Sequence, residues 1–174
     1  ILQVVQRIIK EVRGGGDDAL RHLALAIDGV ELNSPEVPRE LIDQAPSQID
    51  PELLNAIEVS ADRIRDYHQA TVPKSWMDET KGYGQLTTPV SSVGCYIPGG
   101  TASYLSTVLM TSIPARVAGV EKVFVCTPIA RGKMPSNPIL AAAKIAGVDQ
   151  VFRIGGAQAI AALAYGTETV PAVD

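Results

Sequence analysis

Apolar side chains recur every three to four positions through residues 1–70. Between residues 4 and 27 they form two sets of four, namely Val5, Ile8, Ile9, Val12 and Leu20, Leu23, Ala24, Ile27. This spacing predicts two amphipathic helices separated by the three glycines at 14–16, with Asp17 as the N-cap of the second helix. The stretches PRELIDQA and PELLNAIEVSADRIRDYHQA each begin with proline, which predicts two more helices, the last ending near Ala70.

The pattern changes after Ala70. Residues 71–92 carry Pro, Gly and Thr among short alternating stretches, which is typical of a linker that contains a pair of short strands. From Val93 onward charged residues are sparse, and β-branched stretches alternate with Ala-rich ones. We therefore divide the chain into a helical region (1–70), a linker (71–92) and an α/β region (93–174).

The α/β region contains an internal repeat. AGVEKVFVCTP, which begins at Ala118, aligns with AGVDQVFRIGG, which begins at Ala146, and each has the pattern of a helix end with a glycine, a short connection and a strand. With the helical stretches LSTVLMTSIPARVA and SNPILAAAKIA between strands, the order is β-α-β-α-β-α. This order predicts a parallel sheet covered by helices. Pro114 is expected to kink the first of these helices or to begin a new segment.

Composition narrows the function classes. A chain of 174 residues with 46% hydrophobic and 20% charged residues is expected to be globular, in one or two domains. The net charge of −4 and the absence of a Lys/Arg cluster argue against nucleic acid or an anionic membrane surface as a partner. No secretion signal or apolar run of about 20 residues is found. Together with only two cysteines, this predicts a cytoplasmic protein.

Two strand ends carry glycine pairs that lead into helices, in IPGGTAS and RIGGAQAIAALA. Helix N-termini at such turns can bind an anion or a phosphate group, and ligands of open α/β sheets lie at this edge. Neither pair extends to G-x-G-x-x-G, and no acidic residue follows the second strand to hold a ribose. A nucleotide ligand and ordinary tight turns therefore both fit the pattern.

Tyr96 and Gln158 are the polar side chains nearest these turns. Tyr96 could stack on a base or bond a ribose, and Gln158 could bridge ligand hydroxyls or amides. On the pattern alone, a half-buried tyrosine and an ordinary first-turn amide are the favoured interpretation.

The spacing of the histidines, the cysteines and the charged helical residues indicates no metal site or catalytic site. His22 and His68 lie far apart on separate predicted helices, without metal-ligand spacing. Cys95 and Cys126 have no nearby histidine, so we interpret them as buried small hydrophobes. The following charged residues are interpreted as solvated helix faces: Glu11, Asp17, Asp18, Asp62, Arg63 and Arg65.

Three segments resemble histidinol dehydrogenases: VGCYIPGGTASYLSTVLMTSIPARVAGV, VFVCTP and AAAKIAGVDQVFRIGGAQAIAALAYGTETVPAVD. IIKEVRGGGDDAL and ADRIRDYHQ agree more loosely, so the resemblance covers essentially the whole chain. Family members are considerably longer, which implies that this chain holds an incomplete Rossmann-like region that binds NAD.

The resemblance assigns residues to the NAD site. Tyr96 matches the tyrosine of the family's Y-[IV]-P-G-G segment and Gln158 the glutamine of G-G-A-Q, so both are expected to contact NAD. Pro98, with Gly99 and Gly155, is expected to shape the turns around them. The chain departs from the family at three positions, where Ser103 and Leu105 replace prolines and Leu86 replaces an arginine.

The resemblance also implies the activity. The whole enzyme would be a zinc-requiring homodimer that oxidises L-histidinol to L-histidine through an aldehyde, by two hydride transfers to NAD, in the last step of histidine biosynthesis. The zinc ligands, a Glu-His acid–base pair and the residues that grip histidinol are expected outside this chain, which is therefore expected to be inactive alone. Two alternatives stay open: a related dehydrogenase of another amino alcohol or diol, and a stand-alone nucleotide-binding or interaction module.

Overall fold

Three parallel strands with helices on both faces form the centre of the computed structural model, which describes residues 1–99, 104–128 and 134–174. In chain order the elements are α1 (Leu2–Leu23), α2 (Arg39–Gln44), α3 (Pro51–Thr71), β1 (Trp76–Asp78), β2 (Tyr83–Gln85), β3 (Ser92–Tyr96), α4 (Leu105–Val117), β4 (Lys122–Cys126), α5 (Asn137–Ile145), β5 (Gln150–Phe152) and α6 (Gly156–Tyr165). A π-helical turn (Ala24–Asp28) follows α1, and a 3-10 turn (Ala45–Gln48) follows α2.

The helices predicted within residues 1–70 are confirmed. The break at the glycines falls at Gly16, whose φ of 53° and ψ of −134° interrupt the helical backbone of α1. α3 begins at Pro51, as this proline led us to predict. Asp50 caps the helix, since its carboxylate accepts hydrogen bonds from the amides of Glu52 and Leu53 at 2.8 and 3.2 Å. This helix ends at Thr71, the position after the expected end.

The predicted β-α-β-α-β-α order is also confirmed. The sheet order is β3-β4-β5, and both pairings are parallel. The repeat corresponds to two identical helix ends: Gly119 and Gly147 have φ of 92° and 74°, and the next amide donates to the carbonyl five positions before it, at 3.1 and 2.9 Å. Glycine is needed there because side chains disfavour this left-handed conformation.

Two further expectations concern the linker and Pro114. The strand pair is present, with β1 and β2 antiparallel and the rings of Trp76 and Tyr83 edge to face at 6.0 Å between centroids. Pro114 lies inside α4, which continues to Val117, so it does not begin a new segment. No helix in the described part of the chain is long and apolar enough to cross a bilayer.

The sheet separates two apolar clusters because successive strand residues point to opposite faces. The valine cluster joins Val123 and Val125 of β4 to α2, α3, α4 and α5, and the phenylalanine cluster joins Phe124 and Phe152 to α1 and α6. Helices from residues 1–70 therefore cover both faces of the sheet, whose strands all come after the linker.

Candidate functional site

The turns that follow β3, β4 and β5 pack against one another at the carboxyl edge of the sheet. Pro128, after β4, lies between Gly99 and Gly155. A Cβ added at Gly99 would lie 3.0 Å from Pro128 Cγ, and one at Gly155 would lie 2.7 Å from Pro128 Cβ. A side chain at 155 would thus displace Pro128, and one at 99 would crowd it. This close packing of the turns brings the three strand ends together at the edge where α/β sheets bind ligands.

Tyr96 connects two of these strand ends. It is the last residue of β3, and its hydroxyl oxygen accepts a hydrogen bond from the amide of Gly156, the first residue of α6, at 3.1 Å. This bond satisfies one of the free amides at the helix N-terminus. The hydroxyl retains its own hydrogen for donation.

Gln158 lies in the first turn of the same helix and is 4% exposed. Its amide nitrogen lies 3.5 Å from a carboxylate oxygen of Asp28. Its amide oxygen occupies the space beside Gly156, where an added Cβ would lie 2.9 Å from it. The structure therefore brings Tyr96 and Gln158, which are far apart in sequence, to one helix N-terminus.

Asp28 is a site residue that the sequence analysis did not single out. It ends the π-helical turn after α1, and burial raises the pKa of its carboxyl. It meets Gln158 across 130 residues of sequence. Periodicity carries no signal for such a contact, because it predicts that a helix buries one face without identifying the partner.

Pro98 is exposed in the turn after β3, two positions beyond Tyr96. Ser103, where the family has proline, lies outside the described residues, as does the second glycine of the turn at position 100. Leu105 begins α4, and Leu86 follows β2 with its side chain 81% exposed.

The cysteines are buried, as predicted. Cys95 is 8% exposed and Cys126 is fully buried, and burial, reinforced by the neighbouring Cys95, raises the pKa of Cys126 to about 12. A thiol with this pKa is protonated near neutral pH and is a poor nucleophile.

The histidines lie on separate helices, as expected. His22 is exposed with Nδ1 2.5 Å from a carboxylate oxygen of Glu11, and His68 is half-buried on α3. Across residues 1–99, 104–128 and 134–174, no three or more His, Cys, Asp or Glu side chains are grouped so that they could hold a metal ion.

The interpretation of Asp17 as a solvated residue and helix N-cap was wrong. Asp17 is 5% exposed, and its carboxylate accepts hydrogen bonds from the hydroxyl of Thr167 at 2.5 Å and from the amide and hydroxyl of Thr169. Its own amide donates to Glu168 at 2.7 Å. Burial opposes its ionisation, but the threonine hydrogen bonds outweigh burial and lower the pKa of Asp17. The error arose because these partners lie near the other end of the chain.

The family model described as histidinol dehydrogenase matches residues 1–174. The chain belongs to the histidinol dehydrogenase family. It is 48% identical over 177 residues to histidinol dehydrogenase of Methanothermobacter thermautotrophicus and 52% identical over 179 residues to that of Methanosarcina barkeri, in both cases over 100% of this chain. The resemblance noted in the sequence is therefore confirmed.

A solved relative confirms the fold. The crystal structure of histidinol dehydrogenase from Elizabethkingia anophelis matches 99% of this chain with a TM-score of 0.93 and 30% sequence identity. The chain spans 42% and 41% of the lengths of the two curated relatives and 41% of the solved chain. The match thus concerns about two fifths of these histidinol dehydrogenases.

Proposed function

We propose that this chain is the N-terminal part of an NAD-dependent, zinc-requiring histidinol dehydrogenase. In this proposal the whole enzyme oxidises L-histidinol to L-histidine through an aldehyde, and this part supplies NAD contacts. The observation that carries the proposal is the arrangement at α6, where the Tyr96 hydroxyl accepts from the Gly156 amide and Gln158 lies in the first turn of the helix. Family membership over the whole chain supports it.

The residues at this edge fit NAD. Tyr96 offers a hydroxyl hydrogen and a half-buried ring, Pro98 offers an exposed apolar surface, and the N-terminus of α6 favours a negatively charged group. The Asp28 carboxylate orients the Gln158 amide. When bound, NAD accepts hydride from the substrate.

The described residues do not fit zinc, since they contain no group of metal-ligating side chains. In our proposal the zinc ligands, the acid–base pair and the residues that bind histidinol belong to the rest of a longer, homodimeric enzyme. No step of the reaction is assigned to the residues of this chain beyond holding and orienting NAD.

The first prediction tests the NAD site by calorimetric titration. Tyr96→Phe removes the hydroxyl but keeps the ring, and Gln158→Ala removes the amide. Each is expected to weaken NAD⁺ binding about 3- to 10-fold, because this change in affinity corresponds to the loss of about one hydrogen bond. Tyr83→Phe, an exposed tyrosine in β2, is the matched control and is expected to bind like the unsubstituted chain. NAD⁺ binding that both site substitutions leave unchanged would contradict the proposed contacts.

A further inference from the structure

Asp28 has an unusual environment for an aspartate of this chain. Hydrogen bonds lower the pKa of Asp43 and of Asp174, whereas burial raises the pKa of Asp28. Among the described residues, no Lys, Arg or His pairs with the Asp28 carboxylate. An acid that is partly desolvated without a compensating cation, at an edge where ligands bind, is a candidate for a functional role.

The π-helical turn (Ala24–Asp28) fixes the place of Asp28. Ala24 at its start and Leu32 shortly after it are each 3% exposed, and both pack in the phenylalanine cluster. Gly29, with a left-handed φ of 66°, ends the turn. π-helical turns are rare and are frequent at functional sites. Here the turn holds Asp28 at the surface, against the first turn of α6.

The charge of Asp28 determines which way the Gln158 amide points. A glutamine amide donates only through its nitrogen and accepts only through its oxygen, and an ionised carboxylate only accepts. Gln158 Nε2 accordingly faces Asp28 Oδ2, 3.5 Å away, and Oε1 lies beside Gly156. Because 3.5 Å is long for a hydrogen bond, the contact is mainly an attraction between the charge and the amide dipole.

The Gln158 oxygen is available to a ligand. Among the described residues no donor bonds to Gln158 Oε1, and this atom is not one of the sealed polar atoms that lack a partner there. The residue as a whole is only 4% exposed, so a ligand can reach little else of it. The Tyr96 hydroxyl, which keeps a hydrogen to donate, lies at the same helix N-terminus. The edge thus offers one donor and one acceptor side by side.

We propose that Asp28 is a positioning residue that makes Gln158 a hydrogen-bond acceptor for NAD. The inference rests on the proposed function of this edge. The ligand group it requires is an N–H or O–H donor, which NAD supplies from its carboxamide or from a ribose hydroxyl. Without the carboxylate the amide is free to turn over and present its nitrogen, which cannot accept. Asp28 acts through Gln158 and not by touching NAD itself.

Calorimetric titration with NAD⁺ tests the positioning role by a double-substitution cycle. The protein is residues 1–174 continued with the residues that follow the matching stretch in the Methanothermobacter thermautotrophicus relative. Asp28→Asn keeps the size of the side chain but donates as well as accepts, so it is expected to weaken NAD⁺ binding about 3- to 10-fold. In a Gln158→Ala background the same substitution is expected to change the affinity by less than about 2-fold. Asp66→Asn, exposed on α3, is the control and is expected to bind like the unsubstituted protein.

Two results of this cycle would overturn the positioning role. One is equal weakening by Asp28→Asn with and without the Gln158 side chain, because the carboxylate would then act on NAD directly. The other is unchanged NAD⁺ binding in the Asp28→Asn protein while Gln158→Ala weakens it.

An analogue of NAD⁺ identifies the donor that Gln158 accepts from. In the acetylpyridine analogue a methyl group replaces the carboxamide nitrogen, so the N–H donor is lost. If the donor is the carboxamide, Asp28→Asn is expected to leave binding of the analogue unchanged. If the donor is a ribose hydroxyl, Asp28→Asn is expected to weaken the analogue as much as NAD⁺. Either result supports the acceptor role.

NMR of the Gln158 side-chain amide separates this inference from the proposed function, because it needs no NAD⁺. The amide resonances are expected to shift as the pH falls through the titration of the Asp28 carboxyl, and to stay constant in the Asp28→Asn protein. The Asp28→Asn protein also controls for Glu31, the nearest acid along the chain. The ionisable groups of the packed elements β3 and α6 are Tyr96 and Tyr165, and a tyrosine hydroxyl does not titrate in the acid range.

The two measurements fail in different ways. A Gln158 amide that does not respond to the Asp28 titration would overturn the positioning contact, whether or not NAD⁺ binds. A clear response in a protein that binds no NAD⁺ would instead overturn the proposed function of this edge, and with it the acceptor role.

Discussion

The sequence pattern around Asp17 predicts a solvated side chain, but the structure buries it. It stands among charged residues in an amphipathic stretch, yet it is buried and bonded to Thr167 and Thr169. Hydrogen bonds to a buried carboxylate contribute more than those of neutral pairs, and their loss leaves the partner hydroxyls unsatisfied. Asp17 thus ties α1 to the segment after α6.

The second prediction concerns Asp17. Replacement by Ala is expected to lower the free energy of unfolding by about 2–4 kcal/mol at neutral pH, since several hydrogen bonds to a charged group are lost. Urea denaturation followed by circular dichroism measures the change. Asp18→Ala, at the next and exposed position, is expected to change it by less than about 0.5 kcal/mol. Equal effects at the two positions would contradict a structural role for the Asp17 hydrogen bonds.

The same carboxylate predicts a pH dependence. Because folding lowers the pKa of Asp17, its stabilisation is fully present above the unfolded pKa of about 4 and is lost as the pH falls through the folded pKa. The stability difference between the unsubstituted protein and Asp17→Asn is therefore expected to narrow below about pH 4. A difference that stays constant down to about pH 2 would exclude this linkage.

At the scale of elements, local signals in the sequence predicted most of the structure. Proline at 51 and the glycines at 119 and 147 act through their own backbone conformations, so α3 and the repeated helix ends could be predicted from neighbouring residues. The contacts between Tyr96 and Gly156 and between Gln158 and Asp28 join residues 60 and 130 positions apart. A single sequence contains no local pattern for such pairs. The two glycine-pair turns placed Tyr96 and Gln158 near the same edge of the sheet, and the family resemblance then assigned both to NAD.

Arg116 provides a prediction at this scale because it joins the two copies of the repeat. Its guanidinium donates to the carbonyls of Val120 and Glu121 after α4 and of Gly147 after α5, and it pairs with Asp149 at 2.5 Å. The planar group can reach all of these acceptors at once, which an ammonium group cannot.

A further prediction follows from this geometry. Arg116→Ala and Arg116→Lys are both expected to lower the free energy of unfolding, by about 1–3 kcal/mol for Ala and only slightly less for Lys. Urea denaturation measures the loss, and Arg63→Ala, exposed on α3, is the control. Full retention of stability by Arg116→Lys would show that a positive charge alone is sufficient for stability. It would contradict the role of the planar guanidinium.

For the whole molecule, the sequence predicted a parallel sheet covered by helices but not which helices cover each face. An amphipathic pattern shows that one side of a helix is buried, but it does not identify the surface against which that side packs. In the structure α1 packs in the phenylalanine cluster and α3 packs in the valine cluster. The division into regions 1–70, 71–92 and 93–174 stays a prediction. Because residues of the first and last regions share both clusters, we expect these two regions to unfold together.

The last prediction tests this coupling with one substitution on each face. Leu20 of α1 is 1% exposed and Ile57 of α3 is 3% exposed. Leu20→Ala and Ile57→Ala are therefore each expected to lower the free energy of unfolding by about 2–5 kcal/mol. Native-state hydrogen exchange in low denaturant measures how strongly each amide is protected against exchange. Each substitution is expected to lower the protection of the Val125 amide in β4 by as much as the protection of amides in the helix that carries the substitution. Val59→Ala, at a position 41% exposed on α3, is the control. Loss of protection confined to residues 1–70 would mean instead that the helical region unfolds separately from the sheet, because the clusters would then not couple the two regions.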